Sequence, residues 1–190
     1  MNQIFQLYES LKQRYPHAHE WWPGNKFEIV VGTILTQNTN WKNVDKALVS
    51  LKKNKIDSFD KIRSLSKPKL EAIIKPAGFY KQKAGYLKNL AKLVLSFKSF
   101  GEFLENVSRE QLLSVKGVGR ETADSILLYA CDKPYFVIDA YTRRLLKKEK
   151  IKHEDGYESV RALFESSLEC DVLLYKRFHG LIVENGKTEK

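Results

Sequence analysis

The sequence predicts an all-α protein, and three observations support that prediction. Apolar residues recur at helical spacing through nearly all of the 190 residues. The one strand-like stretch, Tyr135–Ile138, is short and has no evident partner strand, so a buried extended connector explains it equally well. No internal repeat, low-complexity tract or Gly/Ser-rich linker interrupts the chain. Any two lobes should therefore be joined by short connections.

The predicted helices follow in chain order from their apolar stripes. Pro16 ends the first helix, because proline lacks an N–H and its ring blocks a helix interior. Gly78 ends the fourth predicted helix. Ser108, with Gln111 three residues later, has the pattern of a capping box and predicts a short sixth helix. The apolar stripes lie at residues 4–15, 27–35, 44–51, 70–77, 87–95, 108–113, 123–130, 160–164 and 174–181.

The composition is that of a globular protein, and its basic balance favours a polyanionic partner, although such a balance alone fits many proteins. Hydrophobic residues make up 43% and charged residues 29% of the chain, and the formal net charge is +10. Cys131 and Cys170 are far apart in sequence and have no metal-ligand spacing, which suggests reduced thiols. The first residues lack the pattern of a secretion signal, and no apolar run reaches membrane-spanning length. We therefore expect a cytoplasmic protein that does not associate with membranes.

The most informative segment is a glycine hairpin, Leu113–Ala123, in which Gly117 and Gly119 flank one apolar residue between two helical patterns. Glycines allow a tight turn and leave bare N–H groups at the start of the second helix. Such a helix start attracts anions, and for a basic protein the fitting anion is a nucleic-acid phosphate. An ordinary helix–turn–helix corner would show the same glycines, so the hairpin alone does not decide the function.

Asp139 stands just beyond the helix that follows the hairpin, 18 residues after Glu121 (139 − 121 = 18). A carboxylate beside bound nucleic acid is electrostatically unfavourable, so its presence there indicates a chemical role. The plain alternative is a helix N-cap, because Asp139 directly precedes a helical segment over residues 140–145. The two roles are compatible, since a cap position fixes the side chain.

The capped helix, the hairpin, the long helix after it and the Pro turn that leads to Asp139 together resemble the helix-hairpin-helix and Gly/Pro…Asp signature of the endonuclease III superfamily of DNA glycosylases. The resemblance runs from about Phe27 to Asn185. Gly32–Thr39 looks like the family's segment that leads to a glutamine wedge, and Phe178–Glu184 looks like its last helix.

The resemblance implies a two-lobed helical fold with the active site in the interlobe cleft. We expect a helical barrel over residues 23–133, with the helix-hairpin-helix at about 108–130. Residues 1–22 and 134–190 would form the second lobe and would supply Asp139 as the catalytic residue.

The resemblance also implies a base-flipping enzyme that acts on double-stranded DNA. Gln37 would fill the gap left in the base stack, although a polar residue that caps a carbonyl is a fair alternative. His179, in the last helix, could approach the pocket, although a packing histidine is the simpler alternative. A monovalent cation on the carbonyls of Leu113, Val115 and Val118 is a further expectation. The residues that would contact DNA are Gln37, Lys116, Gly117, Val118, Gly119 and Arg120.

The sequence departs from the family pattern at two places. Bifunctional members place a lysine where this chain has Glu121, and a carboxylate cannot form the Schiff base needed for strand cleavage. We therefore expect a monofunctional enzyme without AP-lyase activity. Many relatives also carry four cysteines after the last helix for an iron–sulfur cluster, whereas no cysteine follows Cys170 here. No cofactor is expected.

Tryptophans indicate the substrate base. Trp21-Trp22-Pro23 precedes the second helix and Trp41 follows Gln37, and together with Glu121 they resemble the cluster-free bacterial 3-methyladenine DNA glycosylases. The resemblance implies that the residues that bind the substrate base are Trp21, Trp22, Pro23, Trp41 and Glu121. A positively charged alkylated purine can bind to indole faces by stacking and cation–π attraction, although a lone tryptophan is most often a packing residue. A glycosylase for another damaged or mismatched base, and a non-catalytic DNA-binding protein, stay open as alternatives. We expect a monomer.

Overall fold

The computed structural model describes residues 2–18 and 24–188. All regular secondary structure in these two ranges is helical, which confirms the all-α prediction, and Tyr135–Ile138 is a connector without strand pairing. The α-helices are α1 Gln3–Arg14, α2 Lys26–Leu35, α3 Trp41–Lys53, α4 Phe59–Ser64, α5 Lys67–Ile73, α6 Tyr80–Val94, α7 Phe100–Asn106, α8 Arg109–Leu113, α9 Arg120–Ser125, α10 Ala140–Lys148, α11 Tyr157–Ser167 and α12 Val172–Thr188. A 3₁₀ turn lies at Lys75–Ala77 and a π-helical segment at Ile126–Ala130.

The short helices α4 and α7 were not predicted, because each is too short to show a repeating apolar stripe. Their start signals are present nevertheless: Ser58 accepts a hydrogen bond from the Lys61 N–H, and Ser99 accepts one from the Glu102 N–H. The stripe at 70–77 is divided between α5 and the 3₁₀ turn, which contains Pro76. Proline cannot donate the hydrogen bond that would continue α5.

One compact unit spans Gly24–Ile126 and contains α2 to α9. Its core holds a chain of aromatic contacts: the ring centroids are 5.1 Å apart for Phe27 and Phe59, and 5.3 Å apart for Phe59 and Phe100. Phe103 stacks on Phe100 at 6.0 Å and is fully buried. These contacts fix α2, α4 and α7 against one another, largely through apolar burial.

The second compact unit comprises Met1–Pro23 with Leu127–Lys190, and it contains α1, α10, α11 and α12. Phe136 of the connector stacks on Phe164 at 4.3 Å and contacts Phe178 at 5.6 Å. The N-terminal helix joins this core because the Tyr8 ring lies 5.2 Å from that of Phe178. The hydroxyl of Tyr15 also donates to Oδ1 of Asn185 at 3.2 Å.

The predicted lobes and the two compact units have different boundaries, and the lobe assignment stays a prediction. The predicted boundary followed residue 133, whereas the compact units divide after Ile126. The seven residues between join the second unit because Tyr129 hydrogen-bonds to His179 of α12 and the Lys133 N–H donates to the Leu127 carbonyl. Among the described residues, no helix combines the length and the apolar composition that crossing a membrane requires.

Candidate active site

The glycine hairpin connects α8 to α9. The predicted capping box is present: the Ser108 hydroxyl accepts from the Gln111 N–H, and the Gln111 side chain accepts from the Ser108 N–H. Gly117 has φ +101°, a conformation that L side chains rarely adopt. A Cβ there would also lie 2.1 Å from Cγ of Tyr86 on α6. The turn therefore requires glycine at position 117 for two independent reasons.

Gly119 differs from Gly117. Its φ of −92° and ψ of −179° are extended values open to any residue, and a Cβ there would meet no atom within 4 Å. It occupies the N-cap position of α9 without a side-chain cap. Since the fold does not need glycine at this point, the missing side chain leaves room for another molecule to approach the start of α9.

Arg109 and Asp124 join the two helices of the hairpin. Nε of Arg109 donates to Oδ1 of Asp124 at 2.6 Å, and Nη2 donates to Oδ2 at 3.1 Å. The Asp124 side chain is completely buried, and that of Arg109 is 11% exposed. A bidentate pair in this environment holds α8 and α9 at a fixed angle.

Gln37 lies in the turn after α2 and contacts the hairpin of the same unit. Its Nε2 donates to the Gly117 carbonyl at 2.9 Å and to Oγ1 of Thr122 at 3.1 Å. The alternative in which Gln37 caps a carbonyl therefore describes this structure. The wedge role stays a prediction, and it requires Gln37 to leave these partners.

Asp139 is the N-cap of α10, as the sequence indicated. Its Oδ1 accepts from the Thr142 N–H at 2.8 Å and from the Thr142 hydroxyl at 2.9 Å. Oδ2 faces Nε2 of His179, on α12, at 3.5 Å. The two oxygens of the carboxylate are thus differently engaged: one is bound by two donors, and the other faces an imidazole.

The environment of Asp139 keeps the carboxylate ionised. Burial, the largest influence, raises the pKa of Asp139, but the facing imidazole of His179 and the two donors of Thr142 together outweigh it. The pKa therefore lies below its ordinary value. At neutral pH the Asp139 carboxylate is therefore negatively charged. Thr142 holds one of its oxygens, and His179 faces the other.

The remaining predicted site residues fall into three groups. Lys116, Arg120 and Glu121 are exposed, and Glu121 is in the first turn of α9. Trp41 is half-buried at the first position of α3, whereas Val118 is buried in the hairpin. The tryptophan–proline segment lies outside the described residues; it consists of Trp21, Trp22 and Pro23.

The predicted cation ligands are hairpin carbonyls. Val115 already accepts a hydrogen bond from the Val118 N–H at 2.9 Å, which closes the turn. A carbonyl has a second lone pair, so this bond is compatible with cation binding, and the cation stays a prediction. In the described part of the chain, no group of three or more His, Cys, Asp or Glu side chains could hold a metal ion. Cys131 and Cys170 are both free thiols, too few for a four-cysteine cluster.

Sequence reasoning missed two residues around Asp139, namely Thr142 and Tyr129. Thr142 had a local signal, since a threonine three residues after an N-cap can donate back to it. Tyr129 had none, because it is 50 residues from His179 in sequence and the two meet only in the folded unit. Of the two alternatives for His179, the structure shows it buried and facing the carboxylate of Asp139.

Comparisons with known proteins show which chains this one is similar to. A Methanocaldococcus jannaschii protein with the provisional name DNA repair glycosylase MJ1434 is 42% identical over 97% of this chain and 87% of its own length. The solved structure of the H. pylori 3-methyladenine DNA glycosylase MagIII, bound to 1,N6-ethenoadenine, superposes with a TM-score of 0.90 and 38% identity over 98% of both chains.

A non-covalent endonuclease III–DNA complex shares the fold, with a TM-score of 0.79 and 22% identity over 95% of this chain and 83% of that chain. Residues 31–170 match the family described as HhH-GPD superfamily base excision DNA repair protein, in which HhH denotes the helix-hairpin-helix. That range contains both the hairpin and Asp139. The chain therefore belongs to the HhH-GPD superfamily of base excision DNA repair glycosylases.

Proposed function

We propose that this protein is a monofunctional DNA glycosylase that hydrolyses the N-glycosidic bond of alkylated purines, chiefly 3-methyladenine, in double-stranded DNA. The observation that carries the proposal is the ionised carboxylate of Asp139, which Thr142 fixes at the start of α10. The 38% identity to a 3-methyladenine DNA glycosylase over 98% of both chains supports the substrate class.

The chemistry needs one well-placed negative charge. When the bond between the sugar C1′ and the base nitrogen breaks, its electron pair goes to the base and positive charge develops on the sugar. Asp139 stabilises that charge and orients a water molecule, whose oxygen then bonds to C1′ as its proton is released. An N3-alkylated adenine is already cationic and departs as a neutral base. The enzyme therefore requires no separate general acid for this leaving group.

Aromatic side chains would recognise the extruded base. Stacking on an indole face and cation–π attraction both favour a positively charged purine over its neutral counterpart. Trp41 is half-buried in the first turn of α3, in the same unit as Gln37 and the hairpin. We assign the same role to the segment that precedes α2, namely Trp21, Trp22 and Pro23.

The hairpin would bind the DNA backbone. The missing side chain at Gly119 leaves room at the start of α9, and Lys116 and Arg120 are exposed on either side of it. Helix N-termini and basic side chains both attract phosphate. The hairpin carbonyls of Leu113, Val115 and Val118 would be the ligands if a monovalent cation assists. Gln37 would move from the hairpin into the stack as the base is extruded.

Glu121 is the reason for proposing hydrolysis alone. It occupies the first turn of α9, where a negative charge complements the helix dipole. A lysine amine at this point would attack C1′ and form an imine, and a carboxylate cannot. The product would then be an intact strand with an abasic site.

The first experiment incubates the protein with methylated duplex DNA and identifies the bases released. We expect 3-methyladenine from the native protein and at least a hundredfold slower release from Asp139→Asn, which retains the capping group. Asp171→Asn is the matched control, because Asp171 precedes α12 and its Oδ1 accepts the Leu174 N–H in the same way. Equal losses in the two variants would show that Asp139 only caps a helix.

A panel of duplexes separates the alternative substrates. It should contain 3-methyladenine, 1,N6-ethenoadenine, an oxidised base and a mismatch, with DNA binding measured in parallel. Release of only the oxidised or mismatched base would contradict the substrate class. Binding without any release would indicate a non-catalytic DNA-binding protein.

Borohydride reduction tests the monofunctional claim. It converts an imine between enzyme and sugar into a stable adduct, so the native protein should yield no cross-linked species. A trapped adduct would show that another amine supplies the nucleophile and that the protein has lyase activity.

A further inference from the structure

Tyr129, His179 and Asp139 form a line of polar side chains within the unit that contains residues 127–188. The Tyr129 hydroxyl lies 2.6 Å from Nδ1 of His179. Nε2 of His179 lies 3.5 Å from Oδ2 of Asp139. Tyr129 and His179 are each only 3% exposed. The line therefore leads from the core of the unit to the carboxylate.

Nε2 of His179 is a buried polar atom that makes no hydrogen bond within the described residues. At 3.5 Å it faces Asp139 but does not form a regular bond with it. An unsatisfied buried donor is costly, so packing alone would favour an apolar side chain of similar size. The presence of histidine indicates a role for the N–H that faces the carboxylate.

The surroundings of the imidazole determine which nitrogen holds the proton. If Nε2 were deprotonated, its lone pair would face the negative charge of Asp139, which is repulsive. A proton on Nε2 leaves Nδ1 as an acceptor, and the Tyr129 hydroxyl can donate to it at 2.6 Å. Tyr129 thus selects the tautomer that directs an N–H toward Asp139.

We propose that His179, held by Tyr129, is a positioning residue that directs its Nε2–H to Oδ2 of Asp139. Thr142 already supplies two donors to Oδ1, and His179 faces the other oxygen of the carboxylate, Oδ2. Together they fix the plane of the carboxylate and keep it ionised. This inference rests on the proposed function, because it assigns a role in the same site.

The groups that face the pair are few. Among the described residues, His179 is the titratable side chain within ion-pair distance of Asp139, and Tyr129 faces the other side of the imidazole. The hydroxyl of Tyr157, on α11, accepts a hydrogen bond of 3.4 Å from the N–H of Ile138, the residue before Asp139. Neither tyrosine is charged at the acidic pH values that titrate a carboxylate.

The pH dependence of single-turnover excision tests the proposal. His179→Leu should move the acidic limb of the profile to higher pH by about one unit, because Asp139 loses a donor that favours its charged form. His179→Gln places an amide N–H near the position of Nε2 and should restore most of the native profile. Tyr129→Phe should give a smaller shift in the same direction. A lower rate with an unmoved acidic limb in all three variants would overturn the proposal.

A second measurement needs no substrate. Asp139→Asn should reduce the free energy of unfolding at pH 6, and this difference should vanish as the pH falls through the folded-state pKa of Asp139. In a His179→Leu background the difference should shrink. An unchanged difference would contradict the coupling between the two residues. If the native protein released no base from any duplex, the proposed function would fail, and this double-mutant cycle would still decide the claim about His179.

Discussion

The side chain of Gln37 donates a hydrogen bond of 2.9 Å to the backbone carbonyl of Gly117, inside the hairpin turn. A second bond, of 3.1 Å, goes to Oγ1 of Thr122 in α9. The residue assigned to fill the base stack is thus held by the motif assigned to hold phosphate. Insertion of Gln37 into DNA would require both bonds to break, which couples the two functions within one unit.

Substitutions at Gln37 and Thr122 should therefore have opposite effects. Gln37→Ala should slow excision roughly tenfold, because nothing stabilises the gap in the base stack. Thr122→Val removes one acceptor at nearly constant volume and should leave the excision rate equal or higher, with about 1 kcal/mol lost in folding stability. Rates of single-turnover excision and of 2-aminopurine fluorescence changes beside the lesion measure both effects. Slower excision by Thr122→Val would contradict the inference that Gln37 must break its hydrogen bonds to the hairpin before it enters the base stack.

The two hairpin glycines should respond differently to alanine. Gly117→Ala should destabilise the fold by about 2 kcal/mol or more, since φ is +101° and the new Cβ would meet the Tyr86 ring. Gly119→Ala should change the unfolding free energy by less than about 0.5 kcal/mol, because its backbone is extended and the space is open. The DNA affinity of Gly119→Ala should fall nevertheless, because the new methyl group obstructs the approach of a phosphate to the start of α9.

Urea denaturation and DNA-binding titrations of both variants test this difference. If Gly119→Ala bound DNA as tightly as the native protein, the phosphate would not approach the start of α9 closely.

The ion pair between Arg109 and Asp124 should be essential to the hairpin. Asp124→Asn leaves a largely buried guanidinium without its charged partner and should reduce the unfolding free energy by about 3–5 kcal/mol. Glu9→Gln is a suitable control, because its ion pair with Lys12 is solvent-exposed and should be worth less than about 1 kcal/mol. A loss below about 1 kcal/mol in Asp124→Asn would show that the helices of the hairpin are held by apolar contacts alone.

These interactions differ in how far the sequence could reveal them. The capping box at Ser108 and the N-cap at Asp139 depend on residues three positions apart, so both were predictable before the fold was known. The contact between Gln37 and Gly117 joins residues 80 positions apart, and the side-chain pattern could suggest only that Gln37 caps some carbonyl. The contact of His179 with Asp139 depends on the packing of α12 against α10, which no local pattern encodes.

Lys83 is a charged residue at a position of the apolar stripe of α6, and this local pattern in the sequence is easily overlooked. It lies on the apolar face of α6, one turn before Leu87, and only 1% of it is exposed. Its Nζ donates to the carbonyls of Leu35 and Ala77, both at 2.8 Å. These carbonyls end α2 and the 3₁₀ turn, where no intrahelical partner is available. A lysine on an apolar stripe can thus indicate a buried cap for another helix.

Burial lowers the pKa of Lys83 to about 8. In the unfolded chain a lysine titrates near 10.4. Between these values the unfolded chain binds more protons than the folded chain, so folding stability rises with pH across this window. The cost of burying the charge is fully present below pH 8 and is relieved toward pH 10.4, with a total of roughly 3 kcal/mol.

Lys83→Met isolates this contribution. The variant lacks the titrating group but keeps a side chain of similar length, and the other lysines and the tyrosines titrate alike in both proteins. The native unfolding free energy minus that of the variant should therefore increase by roughly 3 kcal/mol between pH 7.5 and pH 10.5. Urea denaturation at half-unit pH intervals measures the difference. A difference that stays constant would mean that the folded and unfolded chains hold the Lys83 proton equally, and that its two carbonyl acceptors offset the loss of hydration.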